Sequence, residues 1–150
     1  MSQSLAQIYL HVVFSTRSRL PFLSDEDVRC LLHGYLVQAC KALDCPALKI
    51  GGVEDHVHLL LRLGKTTEVS SLVRDLKRES SKWIKAKNVH PQFAWQNGYG
   101  AFSCSPAHVD PLIKYISNQV EHHKKFSFKE EFQRICDKYG VNLDERYAWD

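Results

Sequence analysis

Residues 51–63, Gly-Gly-Val-Glu-Asp-His-Val-His-Leu-Leu-Leu-Arg-Leu, constrain the fold most, because a turn signal is followed by an alternating run typical of a β-strand. Side chains of a strand alternate between its two faces, so His56 and His58 should share one face with Leu60. Two imidazoles so placed are close enough to bind one metal ion or one phosphate. By itself, a His-x-His pair is more often structural than catalytic. Because Leu60 lies on the same face, we expect another element to cover that face in part.

The size and composition of the chain predict one compact domain over residues 1–150. No apolar run approaches the roughly 20 residues that span a bilayer, and the N-terminus lacks the basic start of a secretory signal. We therefore expect a cytoplasmic protein with no membrane partner. The five cysteines form no Cys-x-x-Cys pair, which favours small buried thiols over disulfides. A net charge of +3 neither requires nor excludes a nucleic-acid partner.

Alternating and helical patterns follow one another in an order that indicates an α+β fold. A strand pattern over residues 7–15 precedes a helix capped by Ser24. Two strands joined by a tight turn follow, then a helix capped by Thr66 or Thr67, and a strand over residues 98–105. The order β, α, β, β, α, β is the split βαβ order of a ferredoxin-like antiparallel sheet, here with a helical extension.

The last two helices carry boundary signals. Ser105-Pro106 is a strong helix start, and the buried stripe predicted for this helix runs from Val109 to Val120. Ser127 and Glu130 form a capping box that opens the final helix.

A basic surface follows the histidine strand. Between Arg62 and Asn88, eight Lys and Arg residues stand against three acids. This pattern fits either a solvated helix face with i,i+4 ion pairs or a surface that contacts phosphates.

Tyr115 and Gln119 stand four residues apart on the helix after Ser105, and so lie on one face of it. Alone, a phenol one turn from a carboxamide is unremarkable. Together with the histidine pair, these two residues suggest a metal-assisted reaction. A divalent ion held by two imidazoles and an amide oxygen keeps open positions, in which it can polarise a phosphodiester. A tyrosine oxygen is a suitable nucleophile for in-line attack on phosphorus.

Three segments taken together resemble a known family: His56-Val57-His58, the run from Trp95 to Ser103, and the run from Tyr115 to His123. Their order and spacing resemble the single-tyrosine transposases of the smallest bacterial insertion sequences. These are histidine-hydrophobe-histidine (HUH) nucleases, as are the related transposases associated with repetitive extragenic palindromes. The resemblance covers nearly the whole chain. It implies a ferredoxin-like sheet with helices on one face and a C-terminal tyrosine-bearing helix on the other.

The resemblance also implies a function: a DNA transposase that cleaves and rejoins single-stranded DNA through a 5′-phosphotyrosine intermediate and recognises DNA hairpins at element ends. Tyr115 would be the nucleophile, and His56, His58 and Gln119 would bind Mg²⁺ or Mn²⁺. Family members are homodimers, in which the tyrosine helix of one subunit can complete the site of the other. A basic surface would contact the DNA backbone, and the candidates for it are Arg17, Arg19, Arg74, Lys77, Arg78, Lys82 and Lys85.

The sequence is also compatible with other functions. A host-adopted nickase acting on palindromic repeats would carry the same residues, and only genomic flanks would distinguish it. A non-catalytic ferredoxin-like protein that binds single-stranded nucleic acid would stack bases on sheet aromatics, whereas the presumed face here carries His56 and His58. A zinc hydrolase is less favoured, because no third histidine or acid stands at the spacing its motifs require.

Overall fold

A computed structural model describes residues 3–144 and shows a four-stranded antiparallel sheet with helices on both faces. The strands are β1 (Tyr9–Ser15), β2 (Ala47–Gly52), β3 (His56–Arg62) and β4 (Gly100–Cys104), in the spatial order β2-β3-β1-β4. The helices are α1 (Glu26–Ala42), α2 (Val69–Ala86), α3 (Val109–Ser117), α4 (Gln119–His122) and α5 (Phe128–Tyr139). The predicted ferredoxin-like α+β architecture is confirmed.

One face of the sheet packs against α1 and α2 and forms the larger core. Strands β1 and β3 pair antiparallel, with Val12 opposite Leu59 and Phe14 opposite Val57. Because side chains alternate along each strand, these residues all point to the same face. There they pack against the apolar stripes of the two crossover helices, of which the buried members include Leu32, Leu36, Leu72, Leu76 and Ile84.

The opposite face carries the histidines and is covered by α3, α4 and α5. Leu60 is fully buried, which confirms the expectation that another element covers its face. Helix α3 lies close on β2, since a Cβ atom added at Gly51 would stand 2.7 Å from the carbonyl oxygen of Ile116. The smaller core on this side consists of Val13, Phe102, Phe128, Phe132 and Cys136.

Two of the predicted helix caps are wrong. The side chain of Asp25, not Ser24, accepts hydrogen bonds from the amides of the first turn of α1. Glu68 precedes α2 and makes no side-chain capping bond, so neither Thr66 nor Thr67 is the cap. The capping box of Ser127 with Glu130 at the start of α5 is confirmed.

The single helix predicted after Ser105 is divided. A 3₁₀ turn over Pro106–His108 precedes α3, and the chain departs from helical geometry at Asn118 before α4 begins. As a result Val120, predicted to be buried, is 51% exposed. The tyrosine-bearing helix is therefore not the last one, because α4 and α5 follow it on the same side of the sheet.

The cysteines carry free thiols, as predicted. Cys40, Cys45 and Cys136 are buried, whereas Cys30 is exposed and Cys104 is partly exposed. Among residues 3–144, none of the helices has the length and apolar content that a membrane span requires.

Candidate functional site

His56 and His58 are held rigidly on the central strand β3. Both side chains are fully buried on the face that α3, α4 and α5 cover. Nδ1 of His56 lies 2.7 Å from a carboxylate oxygen of Asp55, and Nδ1 of His58 lies 2.8 Å from Nε2 of His11 on β1. Each ring is thereby fixed through its Nδ1 atom, which leaves both Nε2 atoms directed into the site.

Glu131 of α5 brings the elements of the site together. Its Oε1 atom lies 3.2 Å from Nε2 of His56, 3.0 Å from Nε2 of His58 and 3.1 Å from Nε2 of His123. The Oε1 atom of Gln119 lies 3.1 Å from Nε2 of His56 and 3.0 Å from Nε2 of His123. Five donor groups from β3, α4, α5 and the turn after α4 therefore converge on one point.

The other oxygen of the same carboxylate holds the tyrosine. The hydroxyl of Tyr115 donates a hydrogen bond to Oε2 of Glu131, and the amide of Gln119 donates to that oxygen at 3.0 Å. Tyr115 and Gln119 thus lie next to the histidine pair of the same chain, a point that the sequence left open. Burial and the neighbouring Glu131 carboxylate raise the pKa of Tyr115, so the phenol carries its proton at neutral pH.

The protonation of the cluster follows from its hydrogen bonds. Burial alone would raise the pKa of Glu131, but hydrogen bonds from His123, His56 and His58 outweigh burial and hold that pKa well below its usual range. For His56, burial is outweighed by hydrogen bonds to Asp55 and Glu131, which raise its pKa to about 9. At neutral pH the site therefore contains a carboxylate anion beside a protonated His56, and binding of a metal ion by His56 would release that proton.

These groups form a donor set that suits a divalent ion. Ligand atoms of His56, His58, His123 and Glu131 lie within 4.8 Å of one another. Two donors on opposite sides of one ion stand about 4 Å apart, so small side-chain movements would bring these atoms to coordination distance. Three imidazoles and a carboxylate suit Mn²⁺ and related transition ions better than Mg²⁺, which prefers oxygen ligands.

Sequence reasoning missed His123 and Glu131. The sequence argument considered only the spacing that zinc-hydrolase motifs require, whereas both residues come from elements remote from the histidine strand. Two signals were present in the sequence: His123 stands four residues after Gln119, and Glu131 interrupts the apolar stripe of Phe128 and Phe132. A charged residue inside a buried helix stripe needs a partner.

The predicted basic residues lie elsewhere, most of them on α2. Arg74, Lys77 and Arg78 line a groove of about 410 Å³ together with Gln96 and Tyr99. The ammonium of Lys77 donates to the carbonyl oxygens of Gln96 and Gly98, while Lys82 and Lys85 are exposed farther along the helix.

Arg17 and Arg19 lie in the turn after β1, at the end of the sheet where Ser15 pairs with His56. Gln96, from the groove beside α2, accepts a hydrogen bond from the amide of Ser15. The groove and the turn therefore both adjoin the end of the sheet that carries the histidine pair.

Comparison with known proteins agrees with this geometry. The family model described as IS200-like transposase matches residues 4–119. The chain belongs to this transposase family. The family is one of DNA-cleaving enzymes, and the matched region of this transposase holds His56, His58, Tyr115 and Gln119, whereas His123 and Glu131 lie beyond it.

Two solved structures share the fold of this transposase. A protein of Deinococcus radiodurans R1 assigned as a transposase has 22% identity and a TM-score of 0.62, over 79% of this chain and 98% of its own. The REP-associated tyrosine transposase, solved bound to a REP hairpin, has 14% identity and a TM-score of 0.58, over 82% of this chain and 74% of its own. No protein of curated function matches the chain.

Proposed function

We propose that this transposase cleaves and rejoins single-stranded DNA, with Tyr115 as the nucleophile that forms a 5′-phosphotyrosine link. One observation carries the proposal: the Tyr115 hydroxyl is bound to Glu131, whose second oxygen contacts both histidines of β3. One oxygen of the Glu131 carboxylate therefore contacts the proposed nucleophile, and the other contacts the proposed ligands of a divalent ion.

The chemistry follows from the protonation states. Because the pKa of Tyr115 is raised, its oxygen must lose the proton as it attacks. Glu131 is ionised and accepts the hydrogen bond from that hydroxyl, so it is placed to orient the oxygen. The new bond joins the tyrosine oxygen to phosphorus and the bond from phosphorus to the 3′-oxygen breaks. The proton that Tyr115 loses balances the one that the departing 3′-oxygen takes up to become a hydroxyl.

We further propose that His56, His58 and Gln119 bind a divalent metal, with His123 and Glu131 as additional donors. The residues fit such an ion, because their donor atoms already converge and the Nδ1 atoms of both strand histidines are hydrogen-bonded. When bound, the ion would neutralise charge on the phosphodiester and polarise its oxygen. The three imidazoles favour Mn²⁺ over Mg²⁺.

For recognition of a DNA hairpin, we propose the surface formed by the groove beside α2 and by Arg17 and Arg19. The support is its position at the end of the sheet where β3 begins, and its surplus of cations. A further support is that a solved structure of similar fold, the REP-associated tyrosine transposase, is bound to a REP hairpin. Arg74 and Arg78 also pair with Asp75 at 3.1 and 3.2 Å, and phosphates would compete with that partly exposed carboxylate.

The homodimer that the family resemblance implies stays a prediction, which sedimentation of the native chain tests. Tyr115 lies beside the histidines of its own chain. We therefore propose that the first cleavage step uses residues of one subunit.

The decisive experiment follows covalent attachment of DNA. The native chain is incubated with Mn²⁺ and a pool of single-stranded oligonucleotides that carry a 3′-terminal fluorophore, and the product is separated in denaturing gels. We expect a fluorescent protein band, because a 5′-phosphotyrosine link retains the 3′ part of the DNA. Tyr115→Phe should abolish the band while leaving DNA binding within about threefold of native.

The matched control is Tyr35→Phe, which changes a tyrosine stacked on Trp83 on the other side of the sheet. It should attach DNA at the native rate. A labelled band that persists in Tyr115→Phe would refute the assignment of the nucleophile.

A further inference from the structure

A cleft leads from the surface to the hydroxyl of Tyr115. It has a volume of about 670 Å³, within the range of about 300 to 1,000 Å³ usual for ligand sites. One side is formed by the end of β4 and the start of α3, and the other by α5. Tyr115, Glu131 and His122 line it as well, so the cleft and the proposed nuclease site are continuous.

The lining of the cleft combines apolar walls with two cations. Pro111, Leu112 and Ile135 provide apolar surface, and Tyr139 adds an aromatic ring that stacks on Phe102. The flat faces of a nucleotide base are apolar, so a base can stack against walls of this kind.

Arg134 and Lys138 lie one turn apart on α5 and both line the cleft. The guanidinium of Arg134 rests on the ring of Phe126 at 4.0 Å, and Lys138 lies 5.8 Å from the ring of Tyr139. Among the described residues, neither cation forms an ion pair. Arg74 and Arg78 of α2, in contrast, each pair with an acid. Their charges remain available to an anionic ligand.

We propose that this cleft binds the nucleotide next to the scissile phosphate of single-stranded DNA. The base would lie against Leu112, Ile135 and Tyr139, and its phosphate would contact Arg134 and Lys138. This inference rests on the proposed function, since it makes the cleft the route by which the strand reaches Tyr115. It assigns to α5 a role in holding the substrate in addition to supplying Glu131.

Two cysteines of the native chain provide a test without substitution. Cys104 lines the cleft, whereas Cys30 is exposed on α1 on the other side of the sheet. The full chain is alkylated with iodoacetamide in MgCl₂, with and without the oligonucleotide (dT)₁₂, and each thiol is quantified by mass spectrometry. We expect (dT)₁₂ to slow alkylation of Cys104 at least fivefold and to leave the rate at Cys30 unchanged. Equal rates at Cys104 with and without DNA would overturn the proposal.

Substitution of the cations provides the second test. Arg134→Gln and Lys138→Gln should each weaken binding of (dT)₁₂ about three- to tenfold, and each should lower the slope of log K against log salt by about 0.7, the value for one phosphate contact in a single strand. Lys41→Gln, an exposed cation on α1, is the matched control and should change neither quantity. Thermal unfolding of each variant establishes that it is folded, and Leu112→Trp, which fills the cleft, should block binding independently.

The outcomes separate this inference from the proposed function. If Tyr115→Phe loses the covalent band but Cys104 is unprotected and the cation variants bind as native, the cleft assignment is refuted and the nuclease proposal stands. If Cys104 is protected and both variants bind weakly, but native protein forms no covalent band, the cleft is supported and the nuclease proposal fails. Protection by a twelve-base-pair duplex but not by (dT)₁₂ would also refute the cleft assignment.

Discussion

At the scale of single residues, Glu131 has the most demanding environment in the site. It is a carboxylate with 1% of its surface exposed, and burying it is costly unless hydrogen bonds compensate. Three imidazoles, the Gln119 amide and the Tyr115 hydroxyl supply those bonds. The same bonds place one oxygen toward the histidines and the other toward Tyr115.

Glu131→Gln tests the second of these roles. The glutamine keeps the shape of the side chain but lacks the charge that holds the Tyr115 hydroxyl in place, so we expect the rate of covalent attachment to fall at least about 100-fold, as for misplacement of a reacting group. Binding of (dT)₁₂ should stay near the native value. The control is Glu121→Gln, which removes an acid that is 63% exposed and should leave the rate unchanged. A native rate in Glu131→Gln would show that the charge of Glu131 does not position Tyr115.

His33 on α1 gives a pH prediction away from the site. Burial, with the charges of Arg29 and Lys49, lowers its pKa to about 4, and its buried Nε2 atom has no hydrogen-bond partner. The folded state therefore keeps His33 neutral while the unfolded state protonates it below about pH 6.5, so stability is complete above that pH and is lost as the pH falls toward 4. The loss at pH 5 is about 2 kcal/mol.

His33→Leu should reduce that loss. Denaturant unfolding of the native protein and of the variant, at pH 8 and at pH 5, measures this loss. At pH 8 the histidine is neutral in the folded and the unfolded state, so a difference in unfolding free energy between the two proteins there reports only the change in packing. The variant should lose about 2 kcal/mol less than native between the two values. An identical pH dependence in both chains would show that His33 does not titrate as described.

At the scale of elements, the position of the tyrosine depends on how closely α3 approaches the sheet. Gly51 permits this approach, since a Cβ there would stand 2.7 Å from the carbonyl oxygen and 2.9 Å from the Cγ2 atom of Ile116. A backbone carbonyl cannot turn aside as a side chain can. Any residue larger than glycine must therefore push away the helix that carries Tyr115.

Gly51→Ala should displace α3 and so slow covalent attachment about 10- to 100-fold, because small misplacements of reacting groups are costly. It should also destabilise the fold by about 1 to 3 kcal/mol. The matched control is Gly34→Ala on α1, where an added Cβ meets nothing within 4 Å. That variant should gain about 0.5 to 1 kcal/mol from helix propensity and keep its activity. Native activity in Gly51→Ala would contradict the positioning argument.

The elements also show how far sequence reasoning extends. The alternation along β3 gave the correct face for His56 and His58, because a period of two leaves no other choice. The break at Asn118 was missed, because the apolar period continues across it while a local offset turns Val120 outward and Gln119 inward. The meeting of Glu131 with β3 depends on tertiary packing of α5, and no local pattern specifies that contact.

At the scale of the whole molecule, the sheet separates two cores of unequal size. The side with α1 and α2 buries most of the apolar residues, whereas the side with the site buries Val13, Phe102, Phe128, Phe132 and Cys136. Less buried apolar area means a smaller free energy of local opening.

Native-state hydrogen exchange tests this asymmetry. Amides of α5, such as those of Phe132 and Cys136, should exchange through openings of lower free energy than those of Leu36 on α1 and Leu76 on α2. Single-stranded DNA should slow exchange in α5 selectively. Equal opening free energies on the two sides would show that the domain unfolds only as one unit.

The boundary of the matched family region has a consequence for engineering. Residues 4–119 contain the strand histidines, the tyrosine and the amide, whereas His123, Glu131 and both cleft cations lie after that boundary. The segment from residue 120 to residue 144 contains no strand of the sheet, so exchanging it between relatives leaves the strand pairings in place. Such a chimaera would replace the proposed fourth and fifth metal donors and the proposed substrate contacts in one step, and a change in its preferred DNA would locate specificity in this segment.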